Sequence, residues 1–241
     1  MNREKHFHPL AALHLLRKTL LVYLLPLVQV LFDRNWDALR AALRQELVLL
    51  VFISAVCWAV YYGGRWQVDA VEKNAKARAF SKKQFGLDVL PDTELENYEP
   101  NSFDVITLWH VMEHLEHLGE VWQRLHELLT EKGVLIVAVP NCSSYDAQRY
   151  GEYWAAYDVP RHLWHFTPGT IQQLASRHGF IMAARHPMPF DAFYVSMLSE
   201  KHRGSSCSFL KGMFVGTLAW FNALGRKERS SSMIYVFRKK R

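Results

Sequence analysis

FDVITLWHVMEHLEH, running from Phe103 to His117, opens with seven residues in which Val105, Ile106, Leu108 and Trp109 leave little room for a polar face. A short apolar run rich in β-branched and aromatic residues predicts a buried strand. The strand is followed at once by a dense titratable cluster, His110, Glu113, His114 and His117. Its first five residues match H-x-x-E-H, a zinc-peptidase pattern that needs both histidines on one helical face. Here His110 directly follows a strand, so the spacing favours a loop at the strand's carboxyl end, with a helix beginning near Glu113 or later. Open α/β sheets bind ligands at that end. No metal is expected by this reading; zinc hydrolysis and histidines that serve only local hydrogen bonds are the alternatives.

Downstream, Glu120 to Leu129 places Val121, Leu125, Leu128 and Leu129 at helical spacing, and Glu131-Lys132-Gly133 reads as the turn that stops it. VLIVAVP from Val134 is almost continuously apolar, as in a strand of a parallel sheet covered on both faces. Pro168 to His178 reads as a helix with Thr167 as N-cap and Gly179 just past its end. Phe180 to Ala184 predicts a strand, Phe209 to Leu224 an apolar helix, and Met233 to Phe237 a closing strand. Upstream, VDAV (Val68 to Val71) leads into KNAKARAFSKKQF, an amphipathic helix closing at Gly86, then LDVL (Leu87 to Leu90) and a polar stretch with Pro91 and Pro100. Strands and helices in alternation predict crossover units and a doubly wound α/β sheet.

The first third differs in kind. Leu47 to Tyr62, LVLLVFISAVCWAVYY, carries one polar side chain, Ser54, and no charge. Thr19 to Phe32, TLLVYLLPLVQVLF, is interrupted by Gln29 and by Pro26, which predicts a kink. Two hydrophobic helices around the connector Asp33 to Glu46 read either as a membrane hairpin over residues 19–62 or as a buried core pair, since a span needs about 20 apolar residues. Arg3, Lys5, Arg17 and Lys18 before the pair, and Arg65, Lys73 and Lys76 after it, keep both ends at the cytoplasmic face of an inner membrane; Arg34, Arg40 and Arg44 in the connector oppose that orientation. Residues 6–66 resemble in composition the hairpin that precedes bacterial PH-like domains. The organisation expected is therefore a hydrophobic helical hairpin over 1–65 and an α/β domain over 66–241.

Composition narrows the partners. In 241 residues, 50% are hydrophobic and 22% charged, which excludes disorder as the main state. A net charge of +6 with no aromatic platform interleaved with basic residues gives no support for nucleic-acid binding. Cys57, Cys142 and Cys207 are scattered, which excludes a disulfide framework or a cysteine-rich metal site.

Two further places invite chemistry. Glu72 stands at the carboxyl end of its short strand, where a carboxylate can accept two hydrogen bonds from a ribose diol; a solvated charge near a helix start is the alternative. Tyr153, Trp154, Asp158, Arg161, His162, Trp164 and His165 crowd one loop, as in a pocket wall or as aromatics packed on a sheet edge.

Four segments in this order, VDAVEKNAKARAFSKKQFGLDVL, FDVITLWHVMEHL, LTEKGVLIVAVPN and GEYWAAYDVPRHLWHFTP, resemble a class I S-adenosylmethionine-dependent methyltransferase from about Trp66 to Lys240. The resemblance implies that Glu72 holds the cofactor's ribose and that the stretch after Leu90, with Asp92, approaches the adenine. It also implies that Trp109 and His110 line the methionine side. His114, Trp154 and His162 would face a small-molecule, lipid-linked or glycan-like acceptor, with His114 or His162 removing a proton and Arg161 and His165 binding the acceptor. One departure is plain. The family's first strand, G-x-G-x-G turn and helix should precede Glu72, yet only Gly63 and Gly64 are present, too close to Val68 for a crossover of at least about 10 residues. The expected fold is an incomplete Rossmann-like sheet, its first strand and helix missing or replaced. Two functions follow: a membrane-tethered methyltransferase, or a catalytically inactive remnant or fusion product.

Overall fold

In the computed structural model the described residues are 68–188 and 190–240. The hydrophobic pair expected at 19–62, the 1–65 hairpin and Gly63-Gly64 lie outside them. Among the described residues no helix is long and apolar enough to cross a membrane. Two compact units divide between Asn97 and Tyr98.

In the unit ending at Asn97, helix α1 (Ala75–Phe85) forms where expected. Asn74 caps it by accepting from the Lys76 and Ala77 amides, and Gly86 leaves it at φ 68°, a left-handed turn that glycine adopts without a Cβ clash. The segments expected as strands at Val68–Val71 and Leu87–Leu90 shorten to one parallel bridge, Val71 with Leu90. The Glu72 amide donates to the Leu90 carbonyl at 2.9 Å and the Leu90 amide to the Ala70 carbonyl at 2.8 Å.

The unit from Tyr98 is built on β1 (Phe103–Trp109), β2 (Leu129–Pro140), β3 (Phe180–Met188) and β4 (Ser232–Lys239), in the order β1-β2-β4-β3. β1 and β2 are parallel, while β4 runs antiparallel to both neighbours, so the sheet is mixed rather than parallel throughout. An apolar run such as Met233–Phe237 announces a buried strand but not its direction. Helix α2 (Leu118–Leu128) passes directly into β2, and the turn expected at Glu131-Lys132-Gly133 is instead a bulge inside that strand. Phe103 pairs with Leu129 and Val105 already with Val134, so the extra residues loop out between two paired positions. Gly133 is needed there: a Cβ would come within 2.6 Å of Leu129 Cγ. Glu131 in the bulge pairs with Lys239 at 3.2 Å.

One face of the sheet, Leu135, Val137 and Val139 with Met233, Tyr235 and Phe237, packs with Trp122 and Leu125 of α2 and with Ile171 and Ala175 of α4 (Pro168–Arg177). Trp122 is wholly buried, its ring edge-on to Phe180 and Phe237 at 5.5 Å each. Thr167 caps α4 as expected, in a reciprocal box with Thr170. A second core joins α3 (Tyr145–Tyr150), the turns after it, α5 (Asp191–His202) and α6 (Ser208–Gly225).

Candidate active site

The carboxyl end of β1 is where the chain departs most from regular geometry. His110 continues the ladder, its amide donating to the Ala138 carbonyl at 2.9 Å, and then turns at φ 51°. A left-handed histidine costs on the order of 1 kcal/mol, a strain that surrounding contacts must hold and that gathers at functional sites. Met112–His114 form a single 3-10 turn, and α2 begins only at Leu118, so no one helical face carries both histidines.

A second loop is stitched onto this turn. The Glu113 carbonyl accepts the Leu163 and Trp164 amides at 2.8 and 3.3 Å, and the Trp164 indole donates to the Leu115 carbonyl at 2.7 Å. These bonds bring His162 onto His114, the rings edge to face at 4.6 Å. Each imidazole donates its Nδ1 proton to a main-chain oxygen, His114 to Arg161 at 3.0 Å and His162 to Ala156 at 2.8 Å. A carbonyl oxygen can only accept, so each ring, when neutral, presents Nε2 as a lone pair. Burial holds His162 below the usual histidine range, with the Ala156 carbonyl and Glu113 only partly offsetting it, so the ring is neutral at pH 7.

Glu113, 1% exposed, lies between these imidazoles and His110. Its Oε1 is 3.2 Å from His110 Nδ1, and its Oε2 has no hydrogen-bond partner. On the other side Asp191, at the start of α5, sets Oδ2 3.5 Å from His110 Nε2. Burial works against a charge on His110, but Asp191 and Glu113 together more than offset it and push its pKa up to about 10. His110 is therefore an imidazolium at neutral pH, held between two carboxylates.

The other expected residues fall as follows. Trp109 closes β1, its indole N–H buried and unpartnered. Arg161 is exposed and pairs with Asp158, so its guanidinium is already engaged. His165 sits on the rim, Nε2 at 3.0 Å from the Tyr157 carbonyl, in a shallow groove with Trp164, Thr170 and Arg177. Trp154 departs from expectation: it is 1% exposed inside the second core, and its indole donates to Asp146 at 2.8 Å. Its ring builds the loop rather than lining an open surface, because Asp146, wholly buried, needs that donor. Glu72 and Asp92 belong to the other unit. Glu72 Oε1 accepts the Asn74 amide at 2.7 Å, and exposed Asp92 begins the 3-10 turn Asp92–Asn97. Both follow the same end of the Val71–Leu90 bridge. Asp191 had no place in the sequence reading, since no apolar stripe marks α5, and Glu113 stood only as a member of the cluster.

Comparison with known proteins bears on descent. No curated protein matches the chain by sequence. Three solved structures are similar to it at low identity. A SAM-dependent methyltransferase from Thermotoga maritima is 14% identical, with 70% of this chain and 72% of that one covered and a TM-score of 0.46. One from Archaeoglobus fulgidus is 15% identical, with coverages of 70% and 74% and a TM-score of 0.44. Phosphoethanolamine N-methyltransferase 2 from Haemonchus contortus, in complex with S-adenosyl-L-methionine, is 17% identical, with coverages of 73% and 44% and a TM-score of 0.43. A family model described as a methyltransferase domain matches residues 41–184, beginning upstream of Trp66 and taking in the apolar run Leu47 to Tyr62. With more than half its residues inside that match, the chain belongs to the methyltransferase domain family, and S-adenosylmethionine is its cofactor.

Proposed function

We propose that the protein transfers a methyl group from S-adenosylmethionine to a small-molecule acceptor whose attacking atom lies against the His114–His162 pair. The observation that carries this reading is the convergence, at the carboxyl end of β1, of two imidazoles with free Nε2 edges on a buried carboxylate.

The residues suit the cofactor. Its ribose hydroxyls and adenine amine call for acceptors, which Glu72 and Asp92 supply beyond one end of a parallel bridge. In the other unit the Trp109 indole N–H is buried without an acceptor. When bound, S-adenosylmethionine supplies a sulfonium methyl, an electrophile that needs neither metal nor nucleophilic side chain to activate it. The protein's own work is then to align the acceptor and to take its proton. Neutral His162 Nε2 accepts that proton, with His114 beside it, and the Ala156 and Arg161 carbonyls hold both rings in the tautomer that can do so. Charged His110 is locked by Asp191 and Glu113 and moves no proton at neutral pH. A positioned base is worth about 10²–10⁴ in rate, and alignment supplies much of the rest.

The acceptor is read as a small, lipid-linked or glycan-like molecule met at the cytoplasmic face of a membrane, residues 19–62 acting as the tether. The basic residues flanking the apolar pair support this. Retention in the membrane fraction after a carbonate wash tests the tether, and release into the supernatant refutes it. For the chemistry, the full chain is incubated with the cofactor and a panel of hydroxylated and amino acceptors, and S-adenosylhomocysteine release is followed. His162→Asn is expected to lower kcat by about 10²-fold or more while leaving cofactor affinity unchanged. Failure to bind the cofactor even at millimolar concentration would favour the inactive remnant instead, for which the missing glycine turn speaks.

A further inference from the structure

We infer that Glu113, His114 and His162 form a binding site for a divalent first-row transition ion, with zinc the expected occupant. One ligand atom from each residue lies within 4.8 Å of the other two. Two imidazoles and a carboxylate are the donor set that zinc and its neighbours accept, with at least one position left open.

Three further features point to a cation. Glu113 is 1% exposed, and its Oε2 has no partner, so a buried carboxylate oxygen lacks the compensation that burial requires. Each imidazole anchors its Nδ1–H on a main-chain carbonyl, the outer-shell contact that orients a metal-binding histidine and leaves Nε2 to the ion. Asp158 Oδ2 stands 3.9 Å from His162 Nε2, so a second carboxylate lies beside the cluster. Tetrahedral bonds of 2.0–2.2 Å set ligand atoms about 3.4 Å apart, so the cluster closes by up to about 1.4 Å on binding. The exposed His114 ring can supply most of that movement.

This site goes beyond the proposed function and competes with it for the same atoms: an ion bound there occupies the Nε2 edge, so proton removal by His162 belongs to the metal-free protein. The test is made without cofactor, so that its outcome is independent of methyl transfer. The full chain is stripped with a chelator, dialysed, and titrated with Zn2+ against a chromophoric competitor, with Co2+ absorption as a second readout. The expected result is one equivalent bound at micromolar affinity or tighter, weakened more than tenfold in Glu113→Gln, His114→Ala and His162→Ala. His186→Ala, on exposed β3 positions, should bind as the parent does. Because His114 is exposed, His114→Ala keeps the fold and decides the matter even where Glu113→Gln does not. Absence of binding below about 10⁻⁴ M, or binding indifferent to His114→Ala, overturns the assignment.

Discussion

Helices α5 and α6 meet through Gly212 and Gly216, and this contact fixes where Asp191 stands. A Cβ on Gly216 would lie 2.7 Å from Phe193 Cα and 3.2 Å from the Ala192 carbonyl oxygen; one on Gly212 would lie 2.5 Å from Met197 Cα. Ordinary contact begins at 3.4 Å, so Gly216→Ala drives the helices apart by about 0.7 Å and Gly212→Ala by about 0.9 Å. The obstructing atoms are main chain and cannot rotate away. Overpacking of this kind costs about 2–3 kcal/mol, against which alanine recovers about 1 kcal/mol of helix propensity. The net loss is about 1–2 kcal/mol per site, or a fall in Tm of roughly 2–8 °C for a chain of this size. Gly225, at the end of the same helix, has nothing within 4 Å of its Cβ position, so Gly225→Ala should leave Tm unchanged or slightly raised. Thermal unfolding followed by circular dichroism compares the three variants. If Gly216→Ala melts with the parent, or if Gly225→Ala falls as far as the other two, the close helix contact is not what holds this part of the protein.

Asp146→Ala leaves the Trp154 indole N–H and the Ser231 hydroxyl buried without their shared acceptor and should cost about 2–4 kcal/mol in chemical denaturation, whereas Asp146→Asn should cost less; equal losses would place the cost in packing alone. Thr167→Ala removes the α4 cap and should cost about 1 kcal/mol, with no change in the slope of unfolding against denaturant. Burial, reinforced by Lys239, holds His126 below the usual histidine range, so its stabilising contribution is present above the unfolded pKa near 6.5 and is lost as the pH falls through the lower folded value. His126→Gln should therefore lose less Tm than the parent on acidification from pH 7 to about 5; a parallel fall in both would show that His126 does not titrate differently on folding.

Elements with one buried face were legible in the sequence. Half-buried Val121 and buried Leu125 and Leu128 of α2 leave their period in the chain, and Thr167 announces α4 through a cap that needs no tertiary contact. Helix α5 left no such trace, because buried Ser196, Ser199 and Glu200 share its inner surface with Ala192 and Val195. With it went Asp191, the partner that makes His110 a stable cation. The site was legible in its composition but not in its wiring. His114 and His162 were both candidates, yet their meeting depends on main-chain bonds from Leu163 and Trp164 to Glu113, which no residue type encodes. Trp154 was misjudged for a related reason: an aromatic in a titratable loop reads as a pocket wall until its N–H is seen to be bound by a buried aspartate. The bulge in β2 is a further case, since Glu131-Lys132-Gly133 has turn chemistry whether it ends a helix or loops out of a strand.

The central claim is that this chain, without a G-x-G-x-G turn ahead of Glu72, still takes up its family's cofactor. Isothermal titration of the full chain in detergent with S-adenosylmethionine tests it most directly. Saturable one-to-one binding in the micromolar range, weakened at least tenfold by Glu72→Gln, is the predicted result. No heat of binding up to millimolar cofactor, or an affinity untouched by Glu72→Gln, would contradict it.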